Sequence, residues 1–348
     1  MRRLLKHSFK IVSAGVIVMT FLAYVTPFVN PVFFRWLAFF GTAFPWLLLA
    51  NLLLLLLWAS RVHRFALYHL GVILFGWQHV TGFVGLNLSK AAVPENAFTV
   101  MTHNLGGIFR GINLEDDIWD GIFNGYTRFL KENGDPDILC LQETARKFYP
   151  RLAEMMGYRY TYNLRIGTVV LSRYPIVDKG DVPFPQSDNS ILWVDVQVNG
   201  RLLRVYSIHM HSNRVTGDTE KVIGEAELDK EETYRGIYKV VRKVGNATSI
   251  RAQQAAVLRK HIDACKHPVL LCGDFNDTPN SYVYGLLSED LTDTFREKGL
   301  GPGSTFAGVL PFLRIDYILA DPSLNVYSCR VVRGEYSDHY PVVAQMGW

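Results

Sequence analysis

Six short polar motifs in the last two-thirds of the chain hold the residues with the most chemical potential. They are Met101-Thr102-His103-Asn104, Leu141-Gln142-Glu143, Ser207-Ile208-His209, Gly273-Asp274-Phe275-Asn276, Arg314-Ile315-Asp316-Tyr317 and Ser337-Asp338-His339. Most follow an apolar run of strand length and composition: Phe98–Met101, Ile138–Leu141, Leu202–Ile208 and Val269–Cys272. Carboxylates, amides and imidazoles therefore gather where strands end. That set suits a divalent-metal hydrolytic site. A phosphoric ester is anionic and resists attack by water. Its hydrolysis needs a cation on the nonbridging oxygens, an activated water and help for the leaving group.

Each residue alone has a plainer reading. Glu143 could be a surface glutamate at a strand end, Asn104 an Asx-turn cap, His209 a structural histidine, and His103 with Gly106-Gly107 simple turn chemistry. Asp338 and His339 are adjacent. If side chains alternate there, Asp338 cannot readily orient its neighbour's imidazole, so an orienting carboxylate from elsewhere is expected. His211 and Ser212-Asn213-Arg214 follow His209 as neighbours of a cleft.

Taken together, the order and wording of the motifs resemble the endonuclease/exonuclease/phosphatase superfamily, which includes pancreatic-type deoxyribonucleases, abasic-site endonucleases, neutral sphingomyelinases and inositol-polyphosphate 5-phosphatases. The resemblance runs from about Asn96 to the C-terminus. It implies a four-layer α/β sandwich, with two mostly antiparallel β-sheets flanked by helices and the active site at one end. It implies Glu143 as principal metal ligand, with Asn104 and Asp338 helping to hold the metal or its water. Asp274 would orient or deprotonate water, and Asn276, Asn104 and His209 would contact phosphate. Asp316 would pair with His339, which would act as base or electrostatic stabiliser. Whether His339 or Asp274 activates water stays open. The implied cofactor is Mg²⁺, with Mn²⁺ as the alternative. Some nuclease branches carry an aspartate where this chain has Gly106, a departure that argues against the abasic-endonuclease branch.

The first part of the chain is different. Apolar stretches over 11–29, 36–59 and 65–88 each approach the ~20 residues that cross a bilayer as a helix. A cleaved signal peptide would also suit the basic start, but no small-x-small site follows. The expectation is a three-helix transmembrane anchor over 1–90 and a catalytic domain over 96–348. Arg2, Arg3, Lys6 and Lys10 precede the first stretch, and Arg61 and Arg64 lie between the second and third. By the positive-inside rule the N-terminus is cytoplasmic and the catalytic domain extracytoplasmic, periplasmic or exterior. Gln78 and His79 lie within the third stretch and are read as interhelical hydrogen-bonding or interfacial residues.

Composition limits the alternatives. The net charge is only +4 over 348 residues and much of it sits in the first ten, so no nucleic-acid footprint stands out. Cys140, Cys265, Cys272 and Cys329 match no zinc spacing and read as buried thiols, with disulfides the alternative. Helices are expected over Trp119–Glu132, Tyr149–Met156 and Thr248–His261, the last within the charged stretch 214–260. A hairpin is expected at Asn199-Gly200, and 89–95 reads as a linker. The function expected is a membrane-anchored, metal-dependent hydrolase of phosphoric esters, with nucleic acid or phospholipid headgroups as substrate and the bilayer as the other partner. No protein partner is indicated. The alternative is a non-catalytic scaffold or receptor, which should have broken motifs.

Overall fold

The computed structural model describes residues 2–88, 92–106, 116–164, 167–184, 191–213, 231–308 and 311–348. Gly107, linker residues 89–91 and the 214–230 part of the charged stretch lie outside them. The chain divides into two compact units: Met1–Phe83, Asn213–Ala252 and Asp277–Leu286 form one, and Val84–Ser212, Gln253–Asn276 and Leu287–Trp348 form the other.

Among the described residues, the second unit holds fourteen strands. They are β1 (Val84–Leu86), β2 (Phe98–Asn104), β3 (Ile138–Gln142), β4 (Tyr160–Asn163), β5 (Val169–Ser172), β6 (Ile176–Val182) and β7 (Ile191–Val198), then β8 (Arg201–His209), β9 (Val269–Asp274), β10 (Thr292–Asp293), β11 (Leu300–Pro302), β12 (Asp316–Ala320), β13 (Asn325–Val331) and β14 (Val342–Gly347). Two six-stranded sheets run β13-β14-β2-β3-β5-β4 and β10-β12-β9-β8-β7-β6. Every neighbouring pair is antiparallel except β2–β3 and β8–β9. A parallel pair needs a long crossover, and both crossovers carry a helix, Asp116–Glu132 and Glu231–Asp263.

The strands of the parallel pairs are buried on both faces, which explains their continuous apolar runs. Phe98, Val100, Ile138 and Cys140 face the other sheet, where they join Val194, Val205, Leu270 and Cys272 in one core. Alternate residues Met101, Leu139 and Leu141 face helices Asp116–Glu132 and Phe148–Met156. On the second sheet, the Tyr206 hydroxyl meets His261 Nδ1 at 2.8 Å, on the last part of helix Glu231–Asp263. Two mixed sheets between helices make an α/β sandwich. All four cysteines are free thiols; Cys140, Cys272 and Cys329 are buried.

The N-terminal helices form an antiparallel bundle with polar contacts inside. Trp58 Nε1 donates to Ser13 Oγ at 2.8 Å, Asn51 Nδ2 donates to Thr20 Oγ1 at 2.8 Å, and His69 Nδ1 lies 2.8 Å from Asn51 Oδ1. Apolar side chains point outward, among them Ile11, Val18, Leu53, Leu56 and Leu74. Three uninterrupted spans are not what forms. Among the described residues one helix, His7–Phe28, is long and apolar enough to cross a membrane alone. The second stretch is a pair, Pro31–Thr42 and Phe44–Ala59, bent by 45°. The break falls just before Pro45, which lacks the amide hydrogen a helix interior requires. The third stops at Gly76, resumes as Trp77–Phe83, and gives its last residues to β1, paired with β11.

Candidate active site

The two parallel pairs end in the residues that carry chemistry. In one sheet Asn104 pairs with Gln142, and Glu143 follows directly. In the other His209 pairs with Asp274, and Asp274 pairs with Asp316 on its opposite side. Paired residues on neighbouring strands share a face, so the register sets Asp274 between an imidazole and a second carboxylate.

Asp274 is almost fully buried and densely held. Asn104 Nδ2 donates to its Oδ2 at 3.0 Å, and Asn276 Nδ2 donates to the same oxygen at 2.9 Å. The Asn276 amide N–H donates to Oδ1 at 2.7 Å. Asn276 Nδ2 also donates to Met210 O at 3.0 Å, so both of its amide hydrogens are committed. Asn276 has φ 53°, an uncommon conformation for a residue with a side chain, held here by these bonds. Burial, then the neighbouring Asp316 charge, raise the Asp274 carboxyl to about 6.

Asp316 faces His339, whose Nδ1 lies 3.0 and 3.2 Å from its two oxygens. Burial opposes charge on His339, but Asp316, Asp274 and Asp338 outweigh it and push the imidazole up to about 10. The Nδ1 hydrogen goes to Asp316, leaving Nε2 as a donor on the ring's other side. Asp338 itself is exposed. Ser337 locks this segment: its hydroxyl donates to Asn104 O at 2.6 Å and accepts from the His339 amide at 3.1 Å.

Glu143 adopts φ 55° and is half-buried, with Oε1 3.3 Å from His209 Nε2. A methyl on Gly106 would stand 2.8 Å from Glu143 Oε2 and 3.2 Å from Asn104 Oδ1. The two oxygens thus border one small space that the missing side chain leaves clear. A carboxylate and an amide oxygen are the hard donors Mg²⁺ takes, and the ion keeps most of its waters. A second group, Asp274, Asp316 and His339, has ligand atoms all within 4.8 Å of one another. Its oxygens and Nδ1 are already engaged by hydrogen bonds, so it fits a proton-handling cluster better than a metal seat.

Two contributions were not apparent in the motifs. His103 is buried within β2 rather than in a turn. Its Nε2 lies 3.1 Å from His339 O and its Nδ1 2.9 Å from the Tyr126 hydroxyl. Burial lowers His103 to about 3, so the ring is neutral. Nε2 donates to the carbonyl and Nδ1 accepts from tyrosine, fixing the backbone of His339. Gln142 is fully buried and donates from Nε2 to Ser207 Oγ at 3.1 Å, joining the two sheets behind the site. A single amide closing a continuous apolar strand run was the available signal. His211 is half-buried, and its amide donates to Gln254 Oε1 at 3.0 Å.

A buried carboxylate–imidazole cluster thus lies at one end of the two-sheet sandwich, beside a small space bordered by Glu143 Oε2 and Asn104 Oδ1. The family model described as Endonuclease/Exonuclease/phosphatase family matches residues 101–339, and the chain belongs to that family. A second model, described as Domain of unknown function (DUF8431), matches residues 6–83. Comparison with curated proteins gives no match. Solved structures of similar fold include an endonuclease/exonuclease/phosphatase family protein from Bacteroides thetaiotaomicron, at TM-score 0.52 and 17% identity over 72% of this chain and 97% of that one. A mannosyl-6-phosphatase from Bacteroides thetaiotaomicron gives 0.51 and 17% over 72% and 100%. The human Nocturnin catalytic domain gives 0.51 and 16% over 74% and 96%. At these identities the likeness concerns the fold.

Proposed function

We propose that this chain is a membrane-attached, divalent-metal-dependent hydrolase of phosphoric esters, acting on phosphodiesters of nucleic acid or phospholipid headgroups. The observation that carries the reading is the placement of Asp274 between His209 and Asp316, beside Glu143 and Asn104. Glu143 and Asn104, with Asp338 at the rim, would hold Mg²⁺, which when bound supplies charge neutralisation at the phosphate oxygens. Asp274 has a carboxyl raised to about 6, close to the working pH that favours a general base, and takes the proton of the attacking water. Asn104 and Asn276 orient that carboxylate. His339, oriented by Asp316 and positively charged, donates from Nε2 to a phosphate oxygen. His209 contributes a second imidazole at the phosphate or leaving group. Asp274 rather than His339 is the base in this assignment, because a group charged up to about pH 10 has no lone pair free for a proton.

The outward apolar faces and inward polar contacts of the N-terminal bundle support its place in a bilayer, where interhelical polar bonds hold helices together. The basic residues at the start of the first helix then put the N-terminus in the cytoplasm. The end of the first helix and the last helical piece share the buried partner Asn280, so those two ends lie on one face of the bundle. That arrangement supports an extracytoplasmic catalytic domain.

The test is hydrolysis by the full-length protein in detergent or nanodiscs with Mg²⁺ or Mn²⁺. The panel comprises plasmid DNA, RNA, sphingomyelin, other phospholipids and inositol phosphates. Cleavage of one class, abolished by chelator and by Glu143→Ala or Asp274→Ala, is the expected result. A folded, metal-binding protein that cleaves none of these would sink the substrate assignment, and one that also binds no metal would favour a non-catalytic scaffold. A C-terminal reporter active only in the cytoplasm would overturn the orientation.

A further inference from the structure

The four residues after Gly-Asp-Phe-Asn leave the sandwich and become part of the helical unit. Asp277, Thr278 and Asn280 are buried there, Asn280 completely. Asn280 Nδ2 donates to Ala23 O at 3.1 Å, at the end of helix Arg2–Val25. With that hydrogen committed, Oδ1 is the acceptor facing His79 Nδ1, on helix Trp77–Phe83. The single hydroxyl hydrogen of Thr26 is shared between Asn280 O, at 2.7 Å from Oγ1, and Ala23 O, at 2.6 Å. Thr278 Oγ1 donates to Gly41 O at 3.3 Å. The ring of His79 stacks on Tyr24 at 4.6 Å. His79 is therefore bonded to a loop from far along the chain as well as stacked on the first helix.

The fit is close. A methyl on Gly41 would stand 2.2 Å from Asn280 O, and one on Gly82 2.8 Å from Pro279 Cβ. The intervening residues are stiff as well. Pro279 has its φ set by the ring. Asp277 accepts at 3.1 Å from Nε of Arg251, itself fully buried and bonded to Asn213 Oδ1 at 2.7 Å. Only Asp277, Thr278 and Pro279 separate Asn280 from Asn276, so a shift at Asn280 has little slack to absorb it.

We infer that Asn280 is a positioning residue through which the N-terminal helices fix the backbone that carries Asp274 and Asn276. The reading of those two residues as catalytic rests on the proposed function; their positioning by Asn280 does not. The helical unit is thereby a working part of the hydrolase as well as its attachment. Changes in the bundle, including its lipid surroundings, reach the site through this loop.

The experiment uses the full-length protein in dodecyl maltoside. Gly41→Ala wedges the loop. Thr26→Val removes the hydroxyl on Asn280 O, and Thr26→Ser restores it. Ser13→Ala, toward the other end of the first helix, is the control. Turnover of bis(4-nitrophenyl) phosphate with Mg²⁺ is read beside amide hydrogen exchange over residues 271–281. Gly41→Ala and Thr26→Val should lower kcat by roughly 10–100-fold, the scale of a displacement of about 1 Å. KM should stay within about 2-fold, as for lost transition-state rather than uniform binding. Exchange at residues 274–276 should quicken by about 10-fold or more, and Thr26→Ser and Ser13→Ala should match wild type in both. Unchanged kcat and exchange in folded Gly41→Ala would overturn the inference, as would an equal loss in Ser13→Ala. If the wild type turns over no phosphodiester, the hydrolase reading fails separately and exchange alone decides the coupling.

Discussion

Asp316→Asn keeps the shape of the site while removing the charge that holds His339. The imidazole is raised from 6.5 to about 10, a preference for the charged ring worth about 5 kcal/mol at about 1.4 kcal/mol per pH unit. Its sign fixes the pH window. A basic group raised on folding contributes fully below its unfolded value of 6.5, and loses that contribution as pH climbs through about 10. Asp274 adds a smaller effect. Its carboxyl is raised from 3.8 to about 6, so the stability it contributes is present below 3.8 and lost as pH rises through 6. Asp316 is the second cause of that shift, and its removal relieves part of the cost above pH 6. Both effects predict a gap between wild type and Asp316→Asn that is widest near pH 6 and narrows toward pH 10. Breaking a buried pair costs about 3–5 kcal/mol, which sets the size of the gap at its widest. Urea unfolding in detergent at intervals from pH 6 to 10 measures it. In parallel, kcat near pH 7 should fall by about 10²–10³-fold, the contribution of one preorganised donor to the developing charge. A pH-independent gap, or a folded variant with wild-type kcat, would refute the assignment of His339 as an imidazolium held by Asp316.

Other perturbations test the metal seat and its support. Glu143→Gln keeps the shape and removes the charge, and calorimetric titration with Mn²⁺ should show at least the roughly 10–100-fold weakening that even an outer-shell loss causes. Gly106→Ala places a methyl 2.8 Å from Glu143 Oε2; metal affinity should drop while the unfolding midpoint stays near wild type. Gln142→Leu removes the bond to Ser207 and leaves that hydroxyl buried, so thermal unfolding should report a loss of about 1–3 kcal/mol. A piece beginning at residue 96 lacks Ala23, Thr26, Gly41 and His79, leaving the polar groups of Thr278 and Asn280 without these partners. It should be less stable than the full chain in urea, and equal stability would contradict the account of the loop.

Much of the site could be read from motif order because strand ends place chemistry by simple rules. Asp316 and His339 lie 3.0 Å apart, and the adjacency of Asp338 to His339 already argued for a distant orienting carboxylate. His103 and Gln142 were harder to place. Each is a polar residue inside a strand, and only the packing of a helix or a second sheet shows that its partner is Tyr126 or Ser207. The three apolar stretches showed where the helices lie but not where they break. Hydropathy averages over the residues around Ala43 and Gly76, whereas a helix depends on each backbone bond. Asn280 was the least legible. Its partners lie more than 200 positions away, and nothing in Asp277-Thr278-Pro279-Asn280 names them.

The sheet topology explains why the candidate site residues gather at one end of the sandwich. Each six-stranded sheet contains one parallel pair, and parallel strands finish at the same end. β2 and β3 therefore deliver Asn104 and Glu143 together, as β8 and β9 deliver His209 and Asp274. Asn104 then bonds across to Asp274 at 3.0 Å while its Oδ1 borders, with Glu143 Oε2, the space beside Gly106. A single asparagine thus joins the half that would hold the cation to the half that would move the proton. Asn104→Asp would preserve the metal-side oxygen but set a carboxylate against Asp274 in place of a donor. Metal affinity should be retained or increased while kcat falls and the pH at which activity begins moves upward, because a second nearby negative charge raises the Asp274 carboxyl further. A pH–rate profile with an unmoved acid limb would mean that Asp274 is not the group whose deprotonation starts the reaction.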